Sequence, residues 1–511
     1  MLLNRRDFIS MLGAIPATSV LSQVISSDEK EFGGRLINGI LQYEMDALYN
    51  KRSIVDGVTS DVVEYRVKGQ DSNIPFPIIR SKAGKKIRII VNNKMKKTTT
   101  VHWHGIRLDN RMDGVPYLTQ PPIKPNESFV YEFICPDAGT FWFHSHQNAL
   151  EQMARGQVGV LIVEEENINL PSVKQFTTDA VWVMKDYYIK DNGQLDMCTS
   201  QKTASTAGTF GNKKRVNGKS YVVANAPACS WVRVRLLNCD NTRLMRIGAY
   251  DEADNKVEAF VIAIDGNALK EYKLLNRDHL TPGQRLDVAI KVPKRGFVAL
   301  KNVFQRVPYV LGRVQSNGEI HNSTPLLSLP VNPIPMPQVR GAQKHNFIFL
   351  ASAGSTGKLW SINGKSMMKH SAPMDKHVMG ESFACSMKKD MDMKDGPRNH
   401  GNMIETDMDT MMRGQKMAKP LAVLKKGNTH IFRIQNGTPH LHPIHLHGHT
   451  FTVLKSNKNR QIKPYHTDTV PLAPKEIVEF AFVADNVGDW MFHCHIIEHA
   501  ATGMMGYVRV Q

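Results

Sequence analysis

Short runs rich in Val, Ile, Phe and Tyr, many of them alternating with polar residues, recur along most of the chain. They are clear at 86–91 (KIRIIV), 128–134 (SFVYEFI) and 159–163 (GVLIV), and Gly, Pro and Asn separate them. Such runs indicate short β-strands joined by frequent turns, and no long helical periodicity competes with them. The pattern therefore predicts an all-β protein built from sandwiches or barrels.

A loose internal repeat indicates that these strands form several domains. Asn-Gly pairs at 217–218 and 363–364 each open a section that continues into an alternating strand, and the run at 86–91 fits as the first copy. Three units of roughly 120 to 160 residues match the usual size of a domain. A Pro-rich stretch at 330–337 has the composition of an extended linker. We therefore place the domains at 50–168, 169–340 and 341–511.

The composition of the chain excludes several classes of protein. Its 511 residues are 41% hydrophobic and 22% charged, which excludes a mainly disordered chain. No apolar run reaches the roughly 18 residues of a membrane-spanning helix, so we expect no stable insertion into a membrane. The net charge of +18 comes from Lys and Arg spread along the chain without a nucleic-acid-binding motif. We expect no nucleic-acid partner, and a monomer because no association motif is visible.

The first residues indicate export. Arg5 and Arg6 precede a weakly apolar stretch at 11–24 that is too short to span a bilayer. A paired arginine before a modest apolar core is typical of the twin-arginine (Tat) signal peptides of bacteria. We predict a signal peptide over 1–27 and a periplasmic protein; the alternative is an amphipathic first helix of the mature chain.

A methionine-rich segment interrupts the strand pattern at 367–417. It holds 12 of the chain's 25 methionines, together with Asp, Lys, Gly and three histidines. Methionine oxidises readily and packs loosely, so its dense exposure suggests a use, and thioethers prefer Cu(I). The segment suggests a surface that binds a soft metal; the alternative is a surface loop in which methionine fills space.

Ten of the 20 histidines fall into four tight clusters. On a strand, residues i and i+2 face the same side, so each His-x-His pair directs two imidazoles to one point. Eight imidazoles exceed the needs of one ion with three or four ligands and suit two or three metals that share a site. These eight are His102, His104, His144, His146, His445, His447, His493 and His495.

The residue between the last two of these histidines is Cys494, and a strand turns its side chain to the opposite face. Cys494 therefore belongs to a different metal from its neighbours. With His442 and His499 it forms a His₂Cys set to which Met504 can add a weak axial thioether, as in blue copper sites. Zinc is the competing metal, but structural zinc sites usually pair their thiolates and only one thiolate occurs here.

Five motifs span nearly the whole predicted mature chain. They are HWHG at 102–105, FHSH at 143–146, TPGQRLD at 281–287, HPIHLHGH at 442–449 and HCHIIEH at 493–499. Together they resemble the multicopper oxidases, the family that includes laccases and bacterial copper-resistance oxidases. The resemblance implies three consecutive cupredoxin-like Greek-key β-sandwich domains and four copper ions.

The resemblance also implies a role for each matching residue. His442, Cys494, His499 and Met504 correspond to the ligands of the type 1 copper, and His102 and His445 to those of the type 2 copper. His104, His144, His146, His447, His493 and His495 correspond to the ligands of the paired type 3 coppers. The middle domain, whose only histidines are His279 and His321, is expected to hold no metal.

The reaction implied by the resemblance is one-electron oxidation of a donor at the type 1 copper, coupled to four-electron reduction of dioxygen to water. Cys494 would carry the electron to its two histidine neighbours. Asp113, nine residues after His104, matches the family's acid near the type 2 copper; the alternative is an Asp-Gly turn. A second acid of the family is replaced here by Ala500, for which Glu498 is a possible substitute.

Three hypotheses remain for the donor and the function. The first is a periplasmic oxidase of Cu(I) in copper tolerance, which the methionine-rich segment favours. The second is a laccase that oxidises phenols, favoured by two departures from cuprous oxidases: the insertion follows 360–364, and 437–440 (GTPH) carries no acidic or Met residue. The third is a non-enzymatic copper-sequestering protein, which does not need the complete set of ligands.

Replacement of Met504 with leucine tests the predicted axial ligand. Since the axial thioether tunes potential more than it holds the metal, we expect a changed reduction potential at the blue site with little change in copper content. A redox titration of the blue absorption, with metal analysis of the same sample, measures both. Loss of copper from the histidine cluster in this variant would contradict the assignment.

Overall fold

The computed structural model describes residues 30–196, 199–351, 359–365 and 419–511. The predicted signal peptide (1–27) and the methionine-rich segment (367–417) lie outside the described residues. Strands dominate what is described, which confirms the all-β fold. Within these residues, no helix has the length and apolar character needed to cross a membrane.

The first pair of sheets uses ten strands. The six-stranded sheet has the order β1-β2-β3-β6-β8 with β4 paired to β3, and the four-stranded sheet has the order β5-β10-β9-β7. The predicted run at 86–91 lies in β6, where Ile87, Ile89 and Val91 are fully buried and Arg88 is half-buried. The strands are β1 Lys30–Glu31, β2 Gly34–Ile37, β3 Ile40–Val55, β4 Val58–Val67, β5 Ile78–Lys82, β6 Lys86–Asn93, β7 His102–His104, β8 Ser128–Ile134, β9 Gly139–His144 and β10 Val158–Glu164.

The second pair of sheets follows directly in the chain. Its six-stranded sheet has the order β12-β11-β14-β19-β16-β17 and its five-stranded sheet the order β13-β21-β20-β15-β18. The strands are β11 Phe176–Tyr187, β12 Lys213–Val216, β13 Val222–Ala228, β14 Trp231–Asn238, β15 Met245–Tyr250, β16 Phe260–Ile264, β17 Asn267–Leu274, β18 Asp278–Leu280, β19 Arg285–Lys291, β20 Phe297–Asn302 and β21 Tyr309–Ile320.

The third pair of sheets repeats the arrangement. Its six-stranded sheet has the strand order β23-β22-β25-β30-β27-β28, and its five-stranded sheet has the order β24-β32-β31-β26-β29. The strands are β22 Gln343–Ala351, β23 Trp360–Ile362, β24 Ala422–Leu424, β25 Thr429–Asn436, β26 His442–Leu446, β27 Phe451–Ser456, β28 Tyr465–Thr467, β29 Thr469–Leu472, β30 Ile477–Val483, β31 Gly488–Cys494 and β32 Met505–Val510.

Helices are few and short among the described residues. A 3-10 turn covers Asn110–Met112, and the α-helices are α1 Ala149–Ala154, α2 Pro171–Lys174, α3 Gln201–Ala204 and α4 Ile497–Ala501. One of them, α4, contains His499, a predicted metal ligand.

The three pairs of sheets do not pack equivalently. Buried apolar residues of the first and third pairs form one continuous cluster, whereas the middle pair has a separate core. The first and third sandwiches therefore contact each other directly, and both carry predicted histidine ligands. Strand β3 begins at Ile40, so the first sheet extends on the N-terminal side of residue 50. The predicted divisions of the chain at 50, 168 and 340 stay a prediction.

Two histidines on neighbouring strands of the third sandwich couple its stability to pH. His345 Nε2–H donates to His430 Nδ1 over 3.1 Å, and His430 Nε2–H donates to the carbonyl of Lys425. Burial and the neighbouring His430 lower the pKa of His345 to about 4, and burial lowers the pKa of His430. The folded protein therefore excludes protons that the unfolded chain accepts below about pH 6.5.

We expect the free energy of unfolding to fall as the pH drops from about 6.5 towards about 4, in part through this pair. His345→Gln keeps a donor towards His430 but has no titrating group. The difference between the unfolding temperatures at neutral and mildly acidic pH should therefore be smaller in this variant than in the parent. His321→Gln, which changes an exposed histidine, is the control and should leave the difference unchanged. An undiminished pH dependence in His345→Gln would contradict this account.

Candidate metal centre

Four strands bring the predicted histidines to the contact between the first and third sandwiches. In the first, β7 pairs with β9 so that His102 lies opposite His144. In the third, β26 pairs with β31 so that His445 lies opposite His493. Each pairing sets two His-x-His motifs side by side, because residues i and i+2 share a face of a strand.

The eight imidazoles predicted for the shared site are all brought together. His102 stacks on His447 with ring centroids 3.8 Å apart, and His104 stacks on His445 at 3.7 Å. The ring centroids of His495 and His104 are 5.0 Å apart. Triads whose ligand atoms all lie within 4.8 Å of one another include His102, His445 and His447; His102, His104 and His144; and His146, His447 and His493.

The hydrogen bonds of these rings fit metal ligation. His102, His144 and His445 each use Nδ1–H to donate to a backbone carbonyl, over 2.8, 3.0 and 2.8 Å. Their Nε2 atoms are buried and have no hydrogen-bond partner among the described residues. A donor bond from one ring nitrogen fixes the tautomer that leaves the other nitrogen free to bind a metal.

His104 shows the opposite tautomer. Its Nε2–H donates to Asp468 Oδ1 over 3.0 Å, and its Nδ1 is the buried nitrogen without a partner among the described residues. Burial, followed by the neighbouring His445, lowers the pKa of His104 well below its usual value. Burial likewise lowers the pKa of His493 to about 3. The rings of His104 and His493 are therefore neutral near pH 7, the form that ligates metals.

The predicted type 1 residues form a second group. Cys494 Sγ lies 3.6 Å from His442 Nδ1 and 3.7 Å from His499 Nδ1, and the two nitrogens are 3.0 Å apart. A His₂Cys triangle of this size can hold one metal ion. Burial raises the pKa of the Cys494 thiol, so a cation is needed to stabilise the thiolate. Met504 is fully buried, and its carbonyl accepts from the Cys494 N–H over 3.0 Å.

The outer nitrogens of the two type 1 histidines are also engaged. His442 Nε2 lies 2.7 Å from Thr438 Oγ1, and His499 Nε2–H donates to the carbonyl of Thr206 over 2.8 Å. Their Nδ1 atoms are thereby directed towards Cys494. His493 and His495, on either side of Cys494, join this group to the histidine cluster through the covalent backbone.

Asp113, the predicted acid, contacts two members of the histidine cluster. Its Oδ2 accepts from His447 Nδ1–H over 2.8 Å, and its carbonyl accepts from His102. The adjoining turn is also required: Gly114 has φ +80°, and a Cβ there would lie 1.8 Å from the carbonyl oxygen of Val101. Both interpretations of the Asp-Gly pair are therefore compatible with this geometry.

The remaining positions named from the sequence are Ala500, Glu498, His279 and His321. Ala500 lies on α4, and Glu498 on the same helix accepts from Thr209 N–H and from Thr209 Oγ1–H. His279 Nε2 accepts from Arg246 over 2.8 Å, and His321 is exposed.

Sequence reasoning missed two residues that organise the cluster. Asp468 contacts His104 through its carboxylate and accepts from His445 through its carbonyl. Arg285, on the middle sandwich, donates to both Asp468 oxygens over 2.9 and 2.7 Å. Burial would raise the pKa of Asp468, but Arg285 and His104 hold it well below the usual value.

The middle sandwich also approaches the cluster with its backbone. Gly283 has φ +90°, and a Cβ there would lie 2.9 Å from the ring of His495 and 3.3 Å from that of His104. Gly283 and Arg285 belong to the TPGQRLD motif, which was a signal in the sequence without an assigned role. Asp468 stands in no such motif.

Comparison with known proteins agrees with this geometry. Two family models described as multicopper oxidase match residues 55–168 and 382–511. A solved multi-copper oxidase from Pseudomonas parafulva is 32% identical, with 92% of this chain and 100% of that chain covered and a TM-score of 0.74. A laccase from Cryphonectria parasitica is 26% identical, covering 87% of this chain and 78% of the relative. Copper resistance protein A from Escherichia coli is 22% identical, covering 88% and 90%.

The chain belongs to the multicopper oxidase family. It is accordingly an oxidoreductase that uses copper, dioxygen and a reducing substrate. The free nitrogens and the His₂Cys triangle described above suit copper, which accepts both imidazole and thiolate ligands.

Asp468→Asn tests whether the Arg285–Asp468 pair organises the cluster. Asparagine removes the charge that pairs with Arg285, and breaking a buried ion pair from one side costs about 3–5 kcal/mol. Mutation of an outer partner of a metal ligand weakens metal binding by about 10- to 100-fold. We expect lower stability and lost copper from the histidine cluster, while the blue absorption persists. Metal analysis and absorption spectra measure this.

Asp287→Asn is the matched control. Asp287 is also buried and accepts from Arg233 over 2.6 Å, but none of its hydrogen bonds or ion pairs described here involves a histidine. It should lose stability and keep its copper. Full copper in Asp468→Asn would refute the positioning role.

Proposed function

We propose that this multicopper oxidase is a periplasmic cuprous oxidase that acts in copper tolerance. Four Cu(I) ions would each give up one electron, and one dioxygen with four protons would become two waters. The proposal rests on a contact of Trp360 and on the position of the methionine-rich segment in the chain. Trp360 contacts both predicted type 1 histidines, with ring centroids 4.5 and 5.3 Å away, and the methionine-rich segment begins seven residues later at Met367. A thioether-rich segment is thereby tethered in sequence to the proposed electron entry site.

The proposed copper ligands follow the family pattern. His442, Cys494, His499 and Met504 would hold the type 1 copper, and His102 and His445 the type 2 copper. His104, His144, His146, His447, His493 and His495 would hold the type 3 pair. Copper bound at these residues supplies the one-electron steps and the site of dioxygen reduction.

The chain's own groups would support this chemistry in four ways. The carbonyls that accept from Nδ1–H keep the cluster imidazoles oriented, and the buried setting excludes bulk water. The backbone between Cys494 and its neighbouring histidines provides a short covalent path for electrons. Asp113 can hold a proton beside His447 for the water-forming reaction.

Two further hypotheses remain, of which the laccase hypothesis has supporting observations. The laccase relative and the run HPIHLHGH favour oxidation of phenols. A copper-sequestering role needs neither a path between the two centres nor a full set of ligands, which is why we rank it last. Copper resistance protein A, one of the relatives, favours the cuprous oxidase hypothesis. Export through the Arg5-Arg6 signal and a monomeric state also remain proposals.

Asp113→Asn tests the proposed proton role. An asparagine keeps the size and an acceptor oxygen for His447 but cannot hold the proton, so oxygen uptake should fall by about 100-fold, the usual scale of general acid catalysis. Copper content should stay the same. The control is Asp109→Asn, an exposed acid of the same turn that pairs with Arg111. Full turnover by a copper-loaded Asp113→Asn protein would refute the role.

Oxygen uptake by the copper-loaded protein distinguishes the three functions. We expect Cu(I) to be oxidised faster than a simple phenol, and deletion of 367–417 to abolish the advantage of Cu(I). Dominant phenol turnover, with Cu(I) turnover unchanged by the deletion, would establish the laccase hypothesis instead. Bound copper without oxygen uptake from either donor would establish the sequestering hypothesis.

A further inference from the structure

The two histidines proposed for the type 1 site have no exposed edge in the part of the chain that is described. His442 and His499 are both 0% exposed. The Nε2–H of His499, the ring edge that faces away from Cys494, donates to the Thr206 carbonyl over 2.8 Å. Residues 199–209 of the middle sandwich therefore close this edge, and we call them the cover segment.

Trp360 closes the adjacent side. Its ring lies 4.5 Å from that of His499 and is 1% exposed. Its indole N–H donates to the carbonyl of Ala204 over 2.7 Å, and its backbone N–H donates to Thr502. One side chain thus fills the space over the histidine and ties the cover segment to the third sandwich.

The cover segment is also clamped from its far end. Glu498 accepts from Thr209 N–H over 2.5 Å and from Thr209 Oγ1–H over 2.6 Å. Gly208 has φ +90°, and a Cβ there would lie 2.8 Å from Glu498 Oε2, so the close approach requires glycine. Charge-assisted hydrogen bonds to a buried carboxylate are strong, so the cover is an ordered part of the fold.

We infer that Trp360 is a specificity-determining residue, which together with the cover segment bars bulky organic donors from contact with the type 1 histidines. Electron transfer slows steeply with distance, and a phenol outside the cover is separated from His499 by the Thr206 carbonyl or by the indole. Electron transfer from a metal ion beside the cover needs no open pocket at the histidines, because the Trp360 indole, which contacts both of them, lies on the path. The inference rests on the proposed type 1 site and deepens the proposed preference for Cu(I).

The test compares kcat/KM for guaiacol, syringaldazine and Cu(I) in the copper-loaded full chain. For Trp360→Ala we expect the phenol values to rise at least about tenfold, mainly through KM, because a ring-sized space opens at the histidine. The blue absorption should persist, and the Cu(I) value should not rise with the phenol values. Trp360→Phe retains a ring over His499 and should change the phenol values much less.

Two further variants keep the test decisive. Thr209→Val removes one hydroxyl from the clamp at similar side-chain volume and should raise phenol turnover in the same direction, without a large cavity. Trp231→Ala is the matched control: its indole also donates to a carbonyl, that of Thr324, but it belongs to a core cluster of the middle sandwich. This control should lose stability and leave the ratio of phenol to Cu(I) turnover unchanged.

Three results would overturn the inference. The first is unchanged phenol kinetics in Trp360→Ala and Thr209→Val proteins that keep their blue absorption. The second is fast syringaldazine turnover by the parent. The third is a rise in kcat/KM for Cu(I) that parallels the rise for phenols. The last would indicate a changed potential and not a changed access. Failure of the proposed Cu(I) activity is seen separately, in the parent's lack of Cu(I)-dependent oxygen uptake, and leaves the phenol comparison interpretable.

Discussion

Eight buried imidazoles face one another where the first and third sandwiches meet, and the rest of the structure depends on how they are stabilised. Several present a nitrogen that no described residue partners. A buried polar atom without a partner costs on the order of 1–3 kcal/mol. Protonation would not relieve this cost, because burial and neighbouring rings lower the pKa of His447 and His495 well below the usual value. Cations bound among the rings would remove the cost at every position together, which is why the arrangement suits a metal cluster.

The middle sandwich stabilises that arrangement without contributing a predicted ligand. Arg285 reaches His104 through Asp468, and Gly283 allows the backbone to approach His495. Its cover segment reaches the other centre, where Thr206 accepts from His499. A sandwich that was expected to hold no metal therefore contacts both proposed copper centres.

Local patterns in the sequence predicted the features that depend on local geometry. Alternation identified strands such as β6. The i, i+2 rule predicted His493 and His495 on the face opposite Cys494, and in the structure Cys494 groups with His442 and His499 while His493 groups with His146 and His447. The family resemblance was confirmed, together with the all-β fold. Asp468 was not predictable, because its partner Arg285 is 183 positions away in the chain and neither residue carries a local sign of the pairing. The cover segment was missed for the same reason: it contains no motif, and its role depends on a contact with His499 across 293 positions.

The link between the two proposed centres is the central claim, and Cys494→Ser tests it most directly. Metal analysis of the copper-loaded full chain, with absorption and electron paramagnetic resonance spectra, should give four coppers in the parent and three in the variant. The variant should lose the blue absorption and keep the signals of the histidine cluster, while oxygen uptake stops. Retention of the blue absorption, or loss of all copper from the variant, would contradict the assignment of Cys494 to a separate centre joined to the cluster through His493 and His495.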